Sequence, residues 1–281
     1  MKRNESTIIA CDAAYEDSTI VLFGAPYDST TSFRPGTRFA SSAIRSESFG
    51  IETYSPYQNK DMTDYCYFDS GDLELPFGDV MMALDEIGNR TKEILSDGKI
   101  PFMIGGEHLV TYGAVREVVK KYPDLHIIHF DAHADLREEY LGVRFSHASV
   151  LRRCHDLVGD GKIYQFGIRS GDRSELEWGK DHVSTHFFDF DTLEETVEKL
   201  KGKPVYFTLD LDVLDPSVFP GTGTPEAGGV TFPQLMDALK KVSSLSVVGL
   251  DMNELSPVYD QSGCSTATAC KILRELLLYI S

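Results

Sequence analysis

Asp131, His133 and Asp135 alternate with two alanines in "FDAHAD", directly after the apolar run Leu125–Phe130. If the extended backbone persists, their side chains share one face. Asp210 and Asp212 repeat the arrangement in "TLDLDVLDP", again at the end of an apolar run. Four carboxylates cannot converge uncompensated in a low-dielectric site. Two divalent cations would neutralise them, with two carboxylates bridging. His108, in "GGEH", offers a second imidazole, and the glycines before it let backbone pass close beneath the site. Carboxylates with one imidazole per ion and no thiolate favour Mn²⁺. A single D-x-H or D-x-D reads equally well as a turn or helix cap. It is the combination at successive strand ends that points to a metal centre.

The elements that must position these residues are legible as alternating runs. Strands are expected near Thr19–Gly24, Tyr65–Asp69, Ile100–Ile104, Leu125–Phe130, Lys162–Ile168, Ser184–Phe188, Pro204–Leu209 and Leu245–Leu250. Amphipathic helical patterns lie between several of them: "GDVMMALDEIGNRTKEILSDG", "VTYGAVREVVKKY", "FDTLEETVEKLKG" and "FPQLMDALKKVS". The C-terminal "SGCSTATACKILRELLLYIS" opens on Ser262 and Gly263, residues suited to a helix start. Alternation of this kind implies a mostly parallel sheet covered on both faces, and no linker or repeat divides it. One domain over residues 1–281 is expected. Such sheets do their chemistry beyond the carboxyl ends of the strands, where "MIGGEH", "FDAHAD", "FGIRSGD", "TLDLDVLDP" and "GLDMNELSP" fall.

Composition bounds the function class. Acidic residues exceed basic ones by 44 − 27 = 17, which argues against a nucleic-acid-binding surface and suits a cationic small substrate. Nothing approaches the roughly 18 apolar residues of a membrane span. The N-terminal "MKRNESTIIACDAAYEDS" has too short an apolar segment for a secretory signal. Five cysteines without a C-x-x-C fit free thiols in a reducing cytoplasm.

In order, "GGEH", "DAHAD", "LDLDVLDP", "GTGTPEAGG" and "DMNELSP" resemble the motifs of the ureohydrolase family, which includes arginase and agmatinase. "FRPGTRFASSAIR" adds an agmatinase-like signature. The resemblance implies a three-layer α/β/α domain around an eight-stranded parallel sheet. It also implies two Mn²⁺ ions. One would be held by His108, Asp131, Asp135 and Asp210, the other by His133, Asp131, Asp210 and Asp212. A hydroxide between them would attack the guanidinium carbon, releasing urea and an amine. By the same resemblance Asp135 relays a proton, Glu254 pairs with the guanidinium and Thr224 hydrogen-bonds that end of the substrate. His147, in "FSHAS", shuttles protons, for which an imidazole near neutral pKa is expected. A trimer or hexamer is implied too.

The tail of the substrate is read from the loop "LREEYLGVRFS". It lacks the Asn- and Ser/Thr-rich set with which arginases hold an α-amino acid, and Glu138 and Glu139 would oppose an α-carboxylate. Agmatine is therefore the expected substrate, with Asp172 and Glu175 of "QFGIRSGDRSE" as candidate partners of its amine. Guanidinobutyrate would need a cation such as Arg137 or Arg144. Three further readings are arginine as substrate, a single-zinc deacetylase and a non-catalytic guanidine- or polyamine-binding relative. The complete ligand set argues against the last two. Glu107 stands where many family members carry Asp, and "SHAS" where many carry His-Gly, so the loop geometry here departs from the usual pattern.

Overall fold

The computed structural model describes residues 1 and 6–281; residues 2–5, part of the N-terminal stretch considered for a secretory signal, lie outside the described residues. Ten strands form. β1 is Ile20–Gly24, β2 Tyr54–Ser55, β3 Lys60–Asp61, β4 Tyr67–Asp72 and β5 Ile100–Ile104. β6 is His126–Phe130, β7 Ile163–Ile168, β8 Ser184–Phe187, β9 Pro204–Asp210 and β10 Ser246–Asn253. Eight pair in the order β4-β1-β5-β10-β9-β6-β7-β8, and β2 and β3 make a separate antiparallel pair. Every pairing in the large sheet is parallel. The eight expected strands are thus all present.

Among the described residues the eight α-helices are α1 (Ala40–Glu47), α2 (Val80–Ser96), α3 (Val110–Lys121), α4 (Val150–Val158), α5 (Arg173–His182), α6 (Leu193–Leu200), α7 (Phe232–Val242) and α8 (Cys264–Tyr279). Strand pleating sorts the apolar side chains into two layers. Ile20, Leu22, Ile128, Phe130, Phe207 and Leu209 face a core shared with α1, α6, α7 and α8. Val21, Phe23, Ile127 and Tyr206 face the core shared with α2, α3 and α4. The result is the expected three-layer α/β/α arrangement. Both sheet faces are buried, which is why the strands read as nearly continuous apolar runs.

Helix starts follow local chemistry. Thr231 and Gln234 form a capping box at α7. At α8 the cap is Gly263 in a left-handed conformation, and its first turn is held by Asp260, which accepts from Ser265 N at 2.7 Å. Among the described residues no helix is long and apolar enough to cross a membrane.

Candidate active site and metal centre

The chain runs from β5 to β6 across β10 and β9, leaving a crevice at the carboxyl ends of the four central strands. Register does the rest. Phe130 pairs with Leu209 and Asn253 with Asp210, so Asp131, Asp210 and Glu254 emerge side by side. By the pleat, Asp131 and Asp210 lie on the α2–α4 face, where the loop after β5 delivers His108. That loop is tight: a Cβ on Gly106 would collide with the backbone of Tyr27. Asp135 and Glu254 sit at positive φ, 53° and 65°, a conformation that non-glycine residues hold only under constraint.

Every expected metal ligand converges. His108 Nδ1 lies 3.1 Å from Asp131 Oδ2 and 3.3 Å from both Asp135 Oδ2 and Asp210 Oδ2. His133 Nδ1 lies 3.0 Å from Asp212 Oδ2 and 3.5 Å from Asp131 Oδ1. All four carboxylates and His108 are buried. Backbone donors fix three of the acids: His133 N–H donates to Asp131 Oδ1 at 2.6 Å, Asp212 N–H to Asp210 Oδ1 at 2.8 Å and Ala132 N–H to Asp212 Oδ1 at 3.1 Å.

The donor set fits divalent cations. Asp212 Oδ2 is buried and, although His133 Nδ1 lies 3.0 Å away, receives no aligned hydrogen bond. The proton balance gives the same answer. Burial and the neighbouring Asp131 push the Asp135 carboxyl up to about 7. Burial, then Asp212 and Asp131, push Asp210 well above the usual range. Burial also acts on Asp131, but His129, His108 and His133 outweigh it and hold that carboxyl well down. Without a cation the cluster must retain protons near neutral pH, and a divalent ion is what displaces them.

A hydrogen-bonded layer behind the ligands escaped the sequence reading. Thr208 Oγ1 donates to Asp251 Oδ1 at 2.5 Å, so towards His108 Nε2, 2.9 Å away, it can only accept. Nε2 therefore carries a proton and Nδ1 is the nitrogen turned to the acids. Against burial, hydrogen bonds to Asp131, Asp135 and Asp210 raise the imidazole and keep Nδ1 protonated as well, and a cation that displaces this proton takes the lone pair. Tyr206 and Asn253 donate to the same Asp251. His129, fully buried, places Nε2 2.7 Å from Asp131 Oδ2 and joins His108 and Asp131 in a possible ligand group. Its alternation with Asp131 and His133 was the available signal.

The cluster floors a cavity of about 210 Å³ lined by His133, Asp135, His147, Glu175, Thr224 and Glu254, among others. Glu254 Oε1 accepts from the His108 backbone N–H at 2.7 Å. His147 also lines the cavity, 3.2 Å from Ser32 Oγ and 3.4 Å from Thr30 Oγ1. Burial, then His133, hold its imidazole down at about 4, below the near-neutral value expected of a shuttle. Glu107 anchors the loop that carries Thr30 and Ser32. It accepts from Thr30 N at 2.8 Å and Thr30 Oγ1 at 2.6 Å, and burial pushes it up to about 7 despite these bonds.

Two tail assignments change. Asp172 is exposed and does not line the cavity. It caps α5, accepting from Ser174 N at 2.9 Å, because a carboxylate at a helix start is drawn to the free N–H groups. Glu175 does reach the cavity, although its oxygens already accept from Asp172 N at 2.5 Å and Leu136 N at 2.8 Å. Glu138 points away to Arg152 and Arg153, at 2.8 and 3.2 Å, so it cannot oppose a substrate carboxylate. Arg137 and Tyr140 form that wall instead.

The Arginase family model matches residues 18–279. The chain is 47% identical over 270 residues to an agmatinase of Bacillus anthracis, covering 94% of this chain and 93% of that one. It is 46% identical over 275 residues to the agmatinase of Bacillus subtilis (strain 168), covering 96% and 94%. Among solved structures, the agmatine ureohydrolase of Thermoplasma volcanium superposes with a TM-score of 0.90 at 35% identity, over 99% of this chain and 94% of that one. With the motif order, the parallel sheet and the acidic cluster all in agreement with these matches, the chain belongs to the arginase family of ureohydrolases.

Proposed function

We propose that the chain hydrolyses agmatine to putrescine and urea with two Mn²⁺ ions held by His108, Asp131, His133, Asp135, Asp210 and Asp212. The observation that carries the metal part is the approach of His108 Nδ1 to three carboxylate oxygens within 3.3 Å. When bound, such a pair of ions supplies a water acidic enough to act as a nucleophile near neutral pH.

The chain's own residues do the remaining work. Glu254, with Oε1 held by His108 N–H, offers the guanidinium a buried carboxylate and orients its carbon towards the acidic cluster. Thr224 lines the same end and adds a hydroxyl. Asp135 takes the proton of the attacking water and returns it to the departing amine, a task suited to a buried carboxylate in the cavity wall. His147, neutral in its buried setting, exchanges protons between the cavity and Thr30 or Ser32. Agmatine is favoured by the agmatinases among the relatives and by Glu175 in the wall. Arg137 in the same wall favours a second reading, guanidinobutyrate. A cytoplasmic homo-oligomer, trimer or hexamer, belongs to the proposal on family resemblance alone.

Urea release by the Mn²⁺-loaded protein from agmatine, arginine and guanidinobutyrate separates the readings. Faster turnover of either of the latter overturns the agmatine assignment. No turnover of any guanidino compound overturns the enzyme.

A further inference from the structure

A second cluster of metal-ligating side chains lies outside the cavity. His155 is in the last turn of α4, His182 ends α5, and Asp160 sits on the loop between α4 and β7. Asp160 Oδ1 is 2.7 Å from His155 Nε2 and 2.6 Å from His182 Nδ1. The three ligand atoms lie within 4.8 Å of one another.

The backbone builds this arrangement. On one side of Asp160, Gly159 N–H donates to His155 O at 2.8 Å; on the other, Gly161 N–H donates to His182 O at 2.9 Å. Both glycines have positive φ, 83° and 69°, which closes the turn that puts Asp160 between the histidines. Trp178 fixes the rings, stacking on His182 at 4.2 Å and meeting His155 edge-on at 4.8 Å. Ligands held from behind in this way lose little entropy on binding an ion.

We propose that His155, Asp160 and His182 form a structural site for a divalent cation, zinc by its preference for imidazole, distinct from the catalytic pair. Two imidazoles and one carboxylate are an ordinary zinc donor set, with water completing the coordination. The ion takes the place of the imidazole protons that now face Asp160, and a small outward shift of the rings admits it. Its position gives it a purpose. The site clips together the far ends of α4 and α5, the helices whose near ends follow His147 and carry Glu175. Zinc there ties the two helices at these ends and stabilises the fold without touching substrate.

The test uses the full chain with its acidic cavity cluster saturated with manganese, dialysed against zinc. Expected is one more zinc per chain in the wild type than in His182→Gln or Asp160→Asn. The melting temperature should rise on zinc addition for the wild type alone, while all three release urea at similar rates. Equal zinc uptake by the three proteins overturns the site. Should either variant fail to fold, anomalous diffraction at the zinc edge from wild-type crystals decides: a peak beside Asp160 supports the site, and zinc confined to the cavity overturns it.

Discussion

Glu254 and His108 are tied to each other by two loops. The His108 N–H donates to Glu254 Oε1 at 2.7 Å, and the Glu254 N–H donates back to Gly106 O at 3.0 Å. The loop after β10 is thereby locked to the loop after β5, and the lock holds Glu254 at its positive φ. The residue proposed to grip the guanidinium and a proposed ligand of the metal centre are therefore positioned by one structure.

That relationship predicts the outcome of Glu254→Gln. The amide oxygen can still accept from His108, so the loops and the metal content should survive. What is lost is a charge-assisted contact with the guanidinium, worth roughly 3 kcal/mol, or about a hundredfold in kcat/KM. Steady-state kinetics with parallel metal analysis checks this. Loss of bound metal in the variant would show that Glu254 supports the ligands rather than the substrate.

The fold and the first layer of the site were legible because both rest on short-range pattern. β5, β6 and β9 are apolar runs that end where polar motifs begin, and those motifs carry the proposed ligands. β10 was read short, to Leu250, because Asp251 and Asn253 look like loop residues until their hydrogen bonds to Tyr206, Thr208 and Thr111 are seen. α1 and α5 carried weak apolar patterns, and α4, though amphipathic, is short and rich in charged residues. In α4 the buried face includes Arg153 and Cys154, and in α5 only Glu175 and Gly179 are buried. The partners that orient His108 and His147, namely Asp251, Thr208, Glu107, Thr30 and Ser32, come from distant parts of the chain. No local spacing announces them. Glu138 misled for the complementary reason: its charge is real, but Arg152 and Arg153 turn it away.

Asp210→Asn should separate metal binding from folding. Asn can keep the acceptor for Asp212 N–H, so the turn after β9 survives. One of four crowded charges disappears, and metal affinity should fall by more than the roughly 10–100-fold that accompanies loss of an outer partner. Urea release should vanish with it. In chelator-treated protein the sign reverses: with less repulsion among buried acids, the metal-free variant should melt above the metal-free wild type. A variant that keeps both metal and turnover contradicts the bridging role.

Asp215 governs a pH-dependent part of stability. Its carboxylate accepts from Ser217 N at 3.0 Å, and from Gly228 N and Gly229 N at 2.8 and 3.1 Å, closing the loop that carries Thr224. The Ser217 hydroxyl and N–H, helped by the two glycine N–H groups, hold the carboxyl down at about 2. A depressed folded-state pKa stabilises fully above the unfolded value of about 4, and the contribution is lost as pH falls through about 2. Asp215→Asn should therefore lower the melting temperature at pH 7 and lose that deficit progressively below about pH 4. Differential scanning calorimetry across that range tests it; a constant difference would place the effect in packing instead of charge.

A single pair in the cavity wall is the proposed reader of the substrate tail. Arg137 Nε lies 3.5 Å from Glu175 Oε1, with its guanidinium 4.8 Å from the Tyr140 ring centre. A tail ammonium must share Glu175 with Arg137, whereas a tail carboxylate can pair with Arg137 directly. Arg137→Gln should thus raise the kcat/KM ratio of agmatine over guanidinobutyrate, and Glu175→Gln should lower it. The Arg137 side chain is 35% exposed, so solvent screening limits each change to about 0.5–1 kcal/mol, a few-fold in the ratio. Opposite signs in the two variants would establish charge reading at this wall. Shifts of the same sign would mean that selection works through the length of the cavity, with the Arg137–Glu175 pair only fixing its end.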